Sequence, residues 1–366
     1  MNVPALVLGA GLVAVVLWDA FETVVLPRSV SRRLRVTAVF YRATWRPWAA
    51  LARWFGSDAR RERFLAVYGP LSLIGLAVVW ALGLLSGFAI VHWSLGSNLH
   101  VLTGPARFVD DLYMSGTTLF TLGLGDVQPT TGIARVLTVV ESGTGFGFLA
   151  MVIAYLPVLY QSFSRREVRL TLLDAWAGSP PAAVEVLLRL ARNGELGALD
   201  AFLKDWEYWC SEVLESHISY PATAYFRSQH QRQSWVSALS TVLDLSALVA
   251  VGIDGVPRWQ ARVTFAIARH ATVDLTQVLH ARADANVDRL SSDELERLRR
   301  DLEEAGLRPN RSPEGSAELT RLRRSYEPYI IGLANRLMMP ASRWRHESSP
   351  RDNWQTSPKR DGGGHI

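Results

Sequence analysis

The sequence predicts an all-α membrane protein followed by a water-facing all-α domain, and three observations predict it. Residues 1–160 hold long charge-free runs, whereas the remainder mixes charged and apolar residues throughout. Turn signals after residue 166 separate segments of helical length, and alternating strand patterns are scarce. Between two of the apolar runs stands "SGTTLFTLGLGDVQPTTG", Ser115 to Gly132, where Thr-x-Gly-x-Gly-Asp interrupts an otherwise apolar stretch.

The clearest span is Val67 to Val91, 25 residues without a formal charge. A helix needs about 20 apolar residues to cross a bilayer, so this run suffices. The outer helix of the central region is accordingly set at residues 67–93. A first span occupies residues 1–27, "VPALVLGAGLVAVVLW" extended by "DAFETVVL", with Asp19 and Glu22 near its cytoplasmic end. Met1-Asn2 offers no basic n-region and no cleavage site precedes the arginines, so a retained span is expected rather than a signal peptide. Its "GAGLVA" is an incomplete dinucleotide fingerprint without a preceding strand, and reads as helix packing. A third span covers residues 132–160, interrupted by Arg135 and Glu141.

Charge sets the expected orientation. Ten arginines stand between Arg28 and Arg63 against Asp58 and Glu62 alone, which places the 28–65 segment on the cytoplasmic side. Trp45, Trp48, Trp54, Phe40 and Tyr41 in that segment suit the headgroup region. Ser94 to Thr131 carries Arg107 against Asp110, Asp111 and Asp126 and is expected outside, and Arg165, Arg166 and Arg169 return the chain to the cytoplasm. The N-terminus is then outside, the C-terminus inside, and the location a plasma (inner) membrane. The net charge of +5 is explained by topology and anchoring to the lipid bilayer, so no nucleic-acid partner is expected.

Between the second and third spans, residues 108–120 read as a short helix, followed by the glycine-containing segment 121–126 and an outward carboxylate. Irregular backbone at membrane depth is tolerated where protein buries it or where it lines a water-filled path. That is the layout of a re-entrant pore helix and filter. A dehydrated cation needs a ladder of oxygens, and the carbonyls of Thr121, Leu122, Gly123, Leu124 and Gly125 with the Thr121 hydroxyl could supply it. Gly123 and Gly125 permit the unusual backbone angles such a ladder needs. Asp126 would concentrate cations at the outer mouth.

The stretch "LYMSGTTLFTLGLGD", Leu112 to Asp126, with the Pro129 turn and the helix "GIARVLTVVESGTGFGFLAMVIAYL", resembles the pore domain of the potassium-channel superfamily. The resemblance covers residues 66–166 and implies that Thr118 is the pore-helix threonine supporting the filter and Thr121 the first filter threonine. It implies a gating hinge at Gly143 or Gly145. Leu122 and Leu124 take positions usually held by valine and tyrosine, and Phe120 stands where threonine commonly precedes the filter. With one filter sequence per chain, the resemblance implies a homotetramer whose only ion is the permeant K⁺, with no cofactor and no resident metal.

Glu141 lies nine residues beyond Gly132, about 14 Å along a helix at 1.5 Å per residue, level with the inner half of the filter. Ionisable groups at that depth have a partner. The readings are a brace for the pore helix, a partner of Arg135, or a water cavity. Gly143, Gly145 and Gly147 weaken their helix by about 1 kcal/mol each relative to alanine, for bending or for close packing. Asp19 and Glu22 share a face and could pair with Arg28 or Arg32. No span carries a regular arginine ladder, which argues against voltage sensing.

Residues 167–340 are expected to form a cytoplasmic helical domain. "SSDELERLRRDLEEAG" has Ser291 and Glu294 at capping-box spacing and stops at Gly306. No strand leads into a glycine-rich phosphate loop, which excludes a nucleotide-binding regulatory domain of that type. "LDLSALVAVGI" contains Asp244 and reads as a buried core helix. Trp206, Tyr208, Trp209, Tyr220, Tyr225, Phe226 and Trp235, with His217 and His230, read as an aromatic core before a ligand pocket. His270 and Asp274 read as a surface pair. Cys210 is the sole cysteine, so no intrachain disulfide forms. Nothing defines a nucleophile with its base, and an enzyme is not expected. Residues 341–366, rich in Ser, Pro and Gly, are expected to be disordered.

The function expected is a passive potassium-selective channel, with an unknown cytoplasmic ligand acting through the helical domain. A weakly selective cation channel is the alternative motivated by Leu124 and Phe120. A membrane-tethered helical signalling or scaffold protein with a non-conducting pore is the alternative from another class.

Overall fold

A Cβ added to Gly9 would lie 2.7 Å from the Gly87 carbonyl oxygen, and one added to Gly87 would lie 2.7 Å from the Val13 side chain. Two helices therefore touch backbone to backbone at these glycines, as small residues allow in apolar surroundings. In this computed structural model they are α1 (Val3–Val24) and α3 (Asp58–Ser94). The "GAGLVA" glycine thus has the packing role expected of it. The structure describes residues 1–26, 35–101, 104–229 and 232–346.

The chain divides into two units, Met1–Gln161 and Ser162–Ile366. In the first, α2 (Val36–Ala52) packs beside α1 and α3 through an aromatic cluster. Trp48 stacks on Phe64 at 4.4 Å, and Trp45 meets Tyr68 edge-on at 4.8 Å. Ser57 caps α3, whose first two turns precede the expected start of the outer helix at residue 67. Asp19, 3% exposed, joins the three helices: it accepts from Trp80 Nε1 (2.9 Å), Thr37 Oγ1 (2.6 Å) and the Thr37 N–H (3.1 Å). Arg35 approaches Asp19 and Glu22 at 3.8 and 3.6 Å, so it is the partner visible here. Arg28 and Arg32 lie outside the described residues. After α3 come β1 (Leu99–His100), α4 (Phe108–Leu119), β2 (Gln128–Pro129) and α5 (Gly132–Ala177), with β1 and β2 antiparallel.

The second unit contains the last residues of α5 and then α6 (Ala183–Arg192), α7 (Leu199–Ser219), α8 (Trp235–Ala247), β3 (Ile253–Asp254), α9 (Trp259–Val278), α10 (Ser292–Glu304), β4 (Arg308–Pro309), α11 (Pro313–Arg324) and α12 (Glu327–Leu337). Among its described residues the strands are a single ladder of two residues each, antiparallel, and helices make the core. Both arms of the expected capping box form: the Glu294 N–H donates to Ser291 Oγ (3.3 Å) and the Ser291 N–H to Glu294 Oε2 (2.9 Å). Trp206, Trp209, Tyr225 and Trp235 are buried, while Tyr208 is exposed, and the aromatic crowd is helix-interface core. His230 lies outside the described residues. His270 and Asp274 pair at 3.6 Å on the surface, and among the described residues no group of three metal-ligating side chains occurs.

Among the described residues, four helical segments are long and apolar enough to cross a membrane: α1, α3, α5 and Trp235–Gly252. The last is 94% surrounded by protein. Asp244 within it has no exposed surface and is held by Arg289 through two bonds of 3.0 and 2.7 Å, by Tyr326 Oη (2.6 Å) and by Ser342 Oγ (3.1 Å). This segment is a core helix of the second unit. Ser342 and Trp344 are buried and Arg343 bridges to Ala182, so residues 341–346 are packed, contrary to the disorder expected from residue 341. The reason is that Ser342 completes the shell of Asp244. Residues 347–366 lie outside the described residues.

His217 is buried between Arg166 Nη1 (3.2 Å) and the Val213 carbonyl (2.8 Å). Its Nδ1–H therefore donates to Val213 and its Nε2 accepts from Arg166, which fixes a neutral tautomer. Burial first, and the neighbouring guanidinium second, push its imidazole down to about 3. The unfolded chain, titrating near 6.5, binds this proton first as pH falls. Stability from this site is thus complete above pH of about 6.5 and declines toward about 3, by up to roughly 1.4 kcal/mol per pH unit. Thermal unfolding of the full chain should show this slope between pH 6.5 and 4.5, and His217→Gln should flatten it relative to wild type.

Candidate functional site

The site is built on the C-terminal end of α4. At its start, the Arg107 N–H donates to Asp110 (2.8 Å), which places a carboxylate at the helix N-terminus. At its end, Phe120 closes the last turn and the chain leaves in an unusual way. Thr121, Gly123 and Gly125 have φ of +58°, +56° and +79°.

Left-handed backbone at every second residue turns successive peptide planes so that their carbonyls need not alternate as in a β-strand. The glycines enter this region freely. Thr121 does not, because its branched Cβ makes the conformation an outlier, and such strain persists only where the surroundings impose it. The surroundings here are the last carbonyls of α4: Thr118 accepts from the Thr121 N–H (3.0 Å), and Thr117 accepts from Leu122 (2.7 Å) and Gly123 (3.3 Å). Thr118, expected to support this segment, touches it through its backbone carbonyl, as does Thr117.

Residues 121–126 are all exposed, as are Phe120 and the side chains of Leu122 and Leu124. Leu124 cannot donate a hydrogen bond, yet the segment is tied to α4 by another route: Tyr113 Oη donates to Asp126 Oδ2 at 2.8 Å. Gln128 Nε2 donates to the Gly125 carbonyl (2.9 Å), so that carbonyl already has a partner. The return strand is fixed by the β1–β2 pairing and by the Thr130 N–H and hydroxyl on the Asn98 carbonyl (2.9 and 3.0 Å).

Behind α4, Glu141 has no exposed surface and meets His92 Nε2 at 3.3 Å. Arg135 is turned away and donates to the Pro129 carbonyl, so it is not the partner of Glu141. Ser115 of α4 faces the same carboxylate. Gly145 touches α4 directly: a Cβ there would lie 2.8 Å from the Leu119 carbonyl carbon and would overlap its oxygen. Gly143 and Gly147 have open space around their would-be side chains. Of the residues singled out in the sequence, Thr118, Thr121 to Asp126, Glu141 and Gly145 gather on or beside α4. Sequence reasoning missed Tyr113, Thr117 and His92. His92 was detectable as a titratable residue at the end of a 25-residue charge-free run. Tyr113 carried no signal, since its partner is 13 residues away across an irregular loop.

Residues 78–161 match the family described as "Ion channel". Protein LctB of Bacillus caldotenax is 31% identical over 93 residues, which are 23% of this chain and 69% of that protein. The chain belongs to the ion-channel family. Protein LctB of Geobacillus stearothermophilus matches this ion-channel chain to the same extent, 31% over 93 residues. The uncharacterized membrane protein YdjJ of Bacillus subtilis is 25% identical over 222 residues, 56% of this chain. The ion-channel chain spans about three fifths of that relative, 61% of its length. No solved structure matches. The family region contains α4, the 121–126 segment and the membrane part of α5, and this member is a multi-pass membrane protein.

Proposed function

We propose that the chain forms a passive potassium-selective channel in a plasma (inner) membrane, with its N-terminus outside and its C-terminus in the cytoplasm. Four copies surround one axis, and the carbonyls of Thr121 to Leu124 with the Thr121 hydroxyl form the ion ladder of each. The observation that carries this reading is the left-handed backbone at residues 121, 123 and 125. Such a backbone allows exposed carbonyls to share a direction at the end of a short helix, between two helices of membrane length. A solitary copy leaves Leu122 and Leu124 exposed, 63% and 65%, which neighbouring copies would cover. Asp126 forms the outer mouth. Gly143, free of contacts, is the better hinge, and Gly145 is a packing contact. The second unit, which follows the pore region in the chain, biases gating when a cytoplasmic ligand binds the open and closed forms unequally.

Purified protein in liposomes, with K⁺ inside and Na⁺ outside, provides the test. A reversal potential near the K⁺ equilibrium value is expected, and one near zero would replace the selective channel with a weakly selective cation channel. That second reading rests on Leu124 and Phe120, which cannot brace the ladder as hydrogen-bonding side chains would. Persistent absence of flux after removal of the second unit would favour the tethered scaffold. Gly123→Ala is expected to abolish flux, because alanine resists a φ of +56° and the ladder loses its direction.

Tyr113→Phe should reduce K⁺ flux severalfold. It removes the hydrogen bond that ties α4 to Asp126, at a solvent-exposed site where such a bond is screened. Asp126→Asn, which also removes the mouth charge, should reduce flux further, and the double variant should lose little more than Asp126→Asn alone, as a shared interaction requires. Flux assays on the three variants decide it.

A further inference from the structure

Three buried polar atoms on α4 and α5 have no hydrogen-bond partner: Glu141 Oε1, Asp111 Oδ1 and Ser115 Oγ. Glu141, Asp111 and Ser115 have no exposed surface, and His92 is 2% exposed. His92 Nε2 stands 3.3 Å from Glu141 Oε2. The four residues come from α3, α4 and α5, the elements that frame the 121–126 segment. An unpaired charge in such a place is expensive, and removing a partner from a buried pair is strongly unfavourable.

Proton counting restricts the arrangements. Two protons on His92, Glu141 and Asp111 make the cluster neutral, either as imidazolium with one carboxylate or as a neutral imidazole with two carboxylic acids. Only the first makes a charge-assisted bond across the 3.3 Å contact. Other groups facing the cluster are few among the described residues. Asp110 lies at its rim, Ser97 Oγ donates to Asp111 Oδ2 (2.6 Å), and α1 brings only the Asn2 N–H to the Ser94 carbonyl beside an exposed amino terminus.

We propose that His92 is a positioning residue for ion conduction. As an imidazolium it keeps Glu141 ionised, ties α3 to α5 behind α4, and so holds the 121–126 segment in its left-handed alternation. This rests on the channel reading above. Acidification that adds a third proton neutralises Glu141 and breaks the tie, so conduction falls with acid and Glu141→Gln reproduces the acid state at neutral pH.

The test uses the full chain in liposomes with two readouts. K⁺ flux against external pH should fall about tenfold on acidification in wild type, the effect of losing one hydrogen bond to a charged group. It should be low and flat in Glu141→Gln and in His92→Gln, with partial recovery in His92→Lys, which restores the cation. Nitrogen NMR of labelled histidines, with His92→Gln identifying the signal, should find an imidazolium at neutral pH that turns neutral in Glu141→Gln. A neutral His92 in the wild type overturns the proposal, and so does a wild-type pH profile shared by Glu141→Gln, even while K⁺ flux itself is intact. A wild type that conducts nothing overturns the channel reading and the conducting role of His92 with it.

Discussion

Gly145→Ala is expected to abolish ion flux, while Gly147→Ala leaves it intact. The added methyl at residue 145 meets the carbonyl of Leu119, and a backbone group at the end of a helix cannot rotate aside as a side chain can. Overpacking of this kind costs about 1–3 kcal/mol and is relieved only by moving one element. The element that moves is α4, whose last carbonyls impose the conformation of Thr121 to Gly123. At residues 143 and 147 nothing lies within 4 Å, and alanine favours a helix by about 1 kcal/mol over glycine. Gly143→Ala then distinguishes the two roles given to these glycines: a changed gating pattern with intact peak flux marks a hinge. Flux and reversal potential in liposomes are the measurements, and preserved conduction in Gly145→Ala would show that α4 need not stay where it is.

Asp244→Ala is expected to unfold or severely destabilise the second unit, by about 3–5 kcal/mol, the range for stranding one half of a buried charge pair. Arg289 has a 9% exposed side chain and gives two of its hydrogen bonds to this carboxylate. Tyr326 and Ser342 lose an acceptor at the same time. Arg289 keeps its bond to the Ser342 carbonyl (2.6 Å), but its remaining carboxylate neighbour, Glu327, is 3.9 Å away and is itself held by Arg323. The paired replacement Asp244→Leu with Arg289→Met should recover much of the loss, because an apolar pair of similar volume removes both desolvation terms. Chemical denaturation followed by circular dichroism compares the three proteins.

The helical class, the α4 segment and the apolar spans were legible because each is written in neighbouring residues. Charge-free length marks α1, α3 and α5, and Ser291 with Glu294 marks the start of α10. The 121–126 segment was legible from its alternate Gly123 and Gly125, although nothing in the sequence said that Thr121 would share their backbone. Contacts between distant residues were not legible. Asp19 finds Thr37 and Trp80, Glu141 finds His92 rather than Arg135, and Ser342 is drawn into the core by Asp244. Each pairing is decided by which buried group most needs a partner, and that is known only once the helices are packed. The fourth apolar segment illustrates the converse: its composition alone suits lipid, and Asp244 identifies it as core.

The position of Asp19 bears on the order in which the protein can be made. An unpartnered carboxylate costs about 2.5–3.5 kcal/mol at the centre of an inserting helix and less near an end, where Asp19 stands. Thr37 and Trp80, which satisfy it, are synthesised 18 and 61 residues later. The first helix must therefore enter the bilayer on its remaining apolar residues and wait, incompletely settled, until α3 emerges from the ribosome. Insertion of α1 and α3 is thus coupled in time, and chains interrupted before residue 80 would hold their first helix less firmly than finished ones.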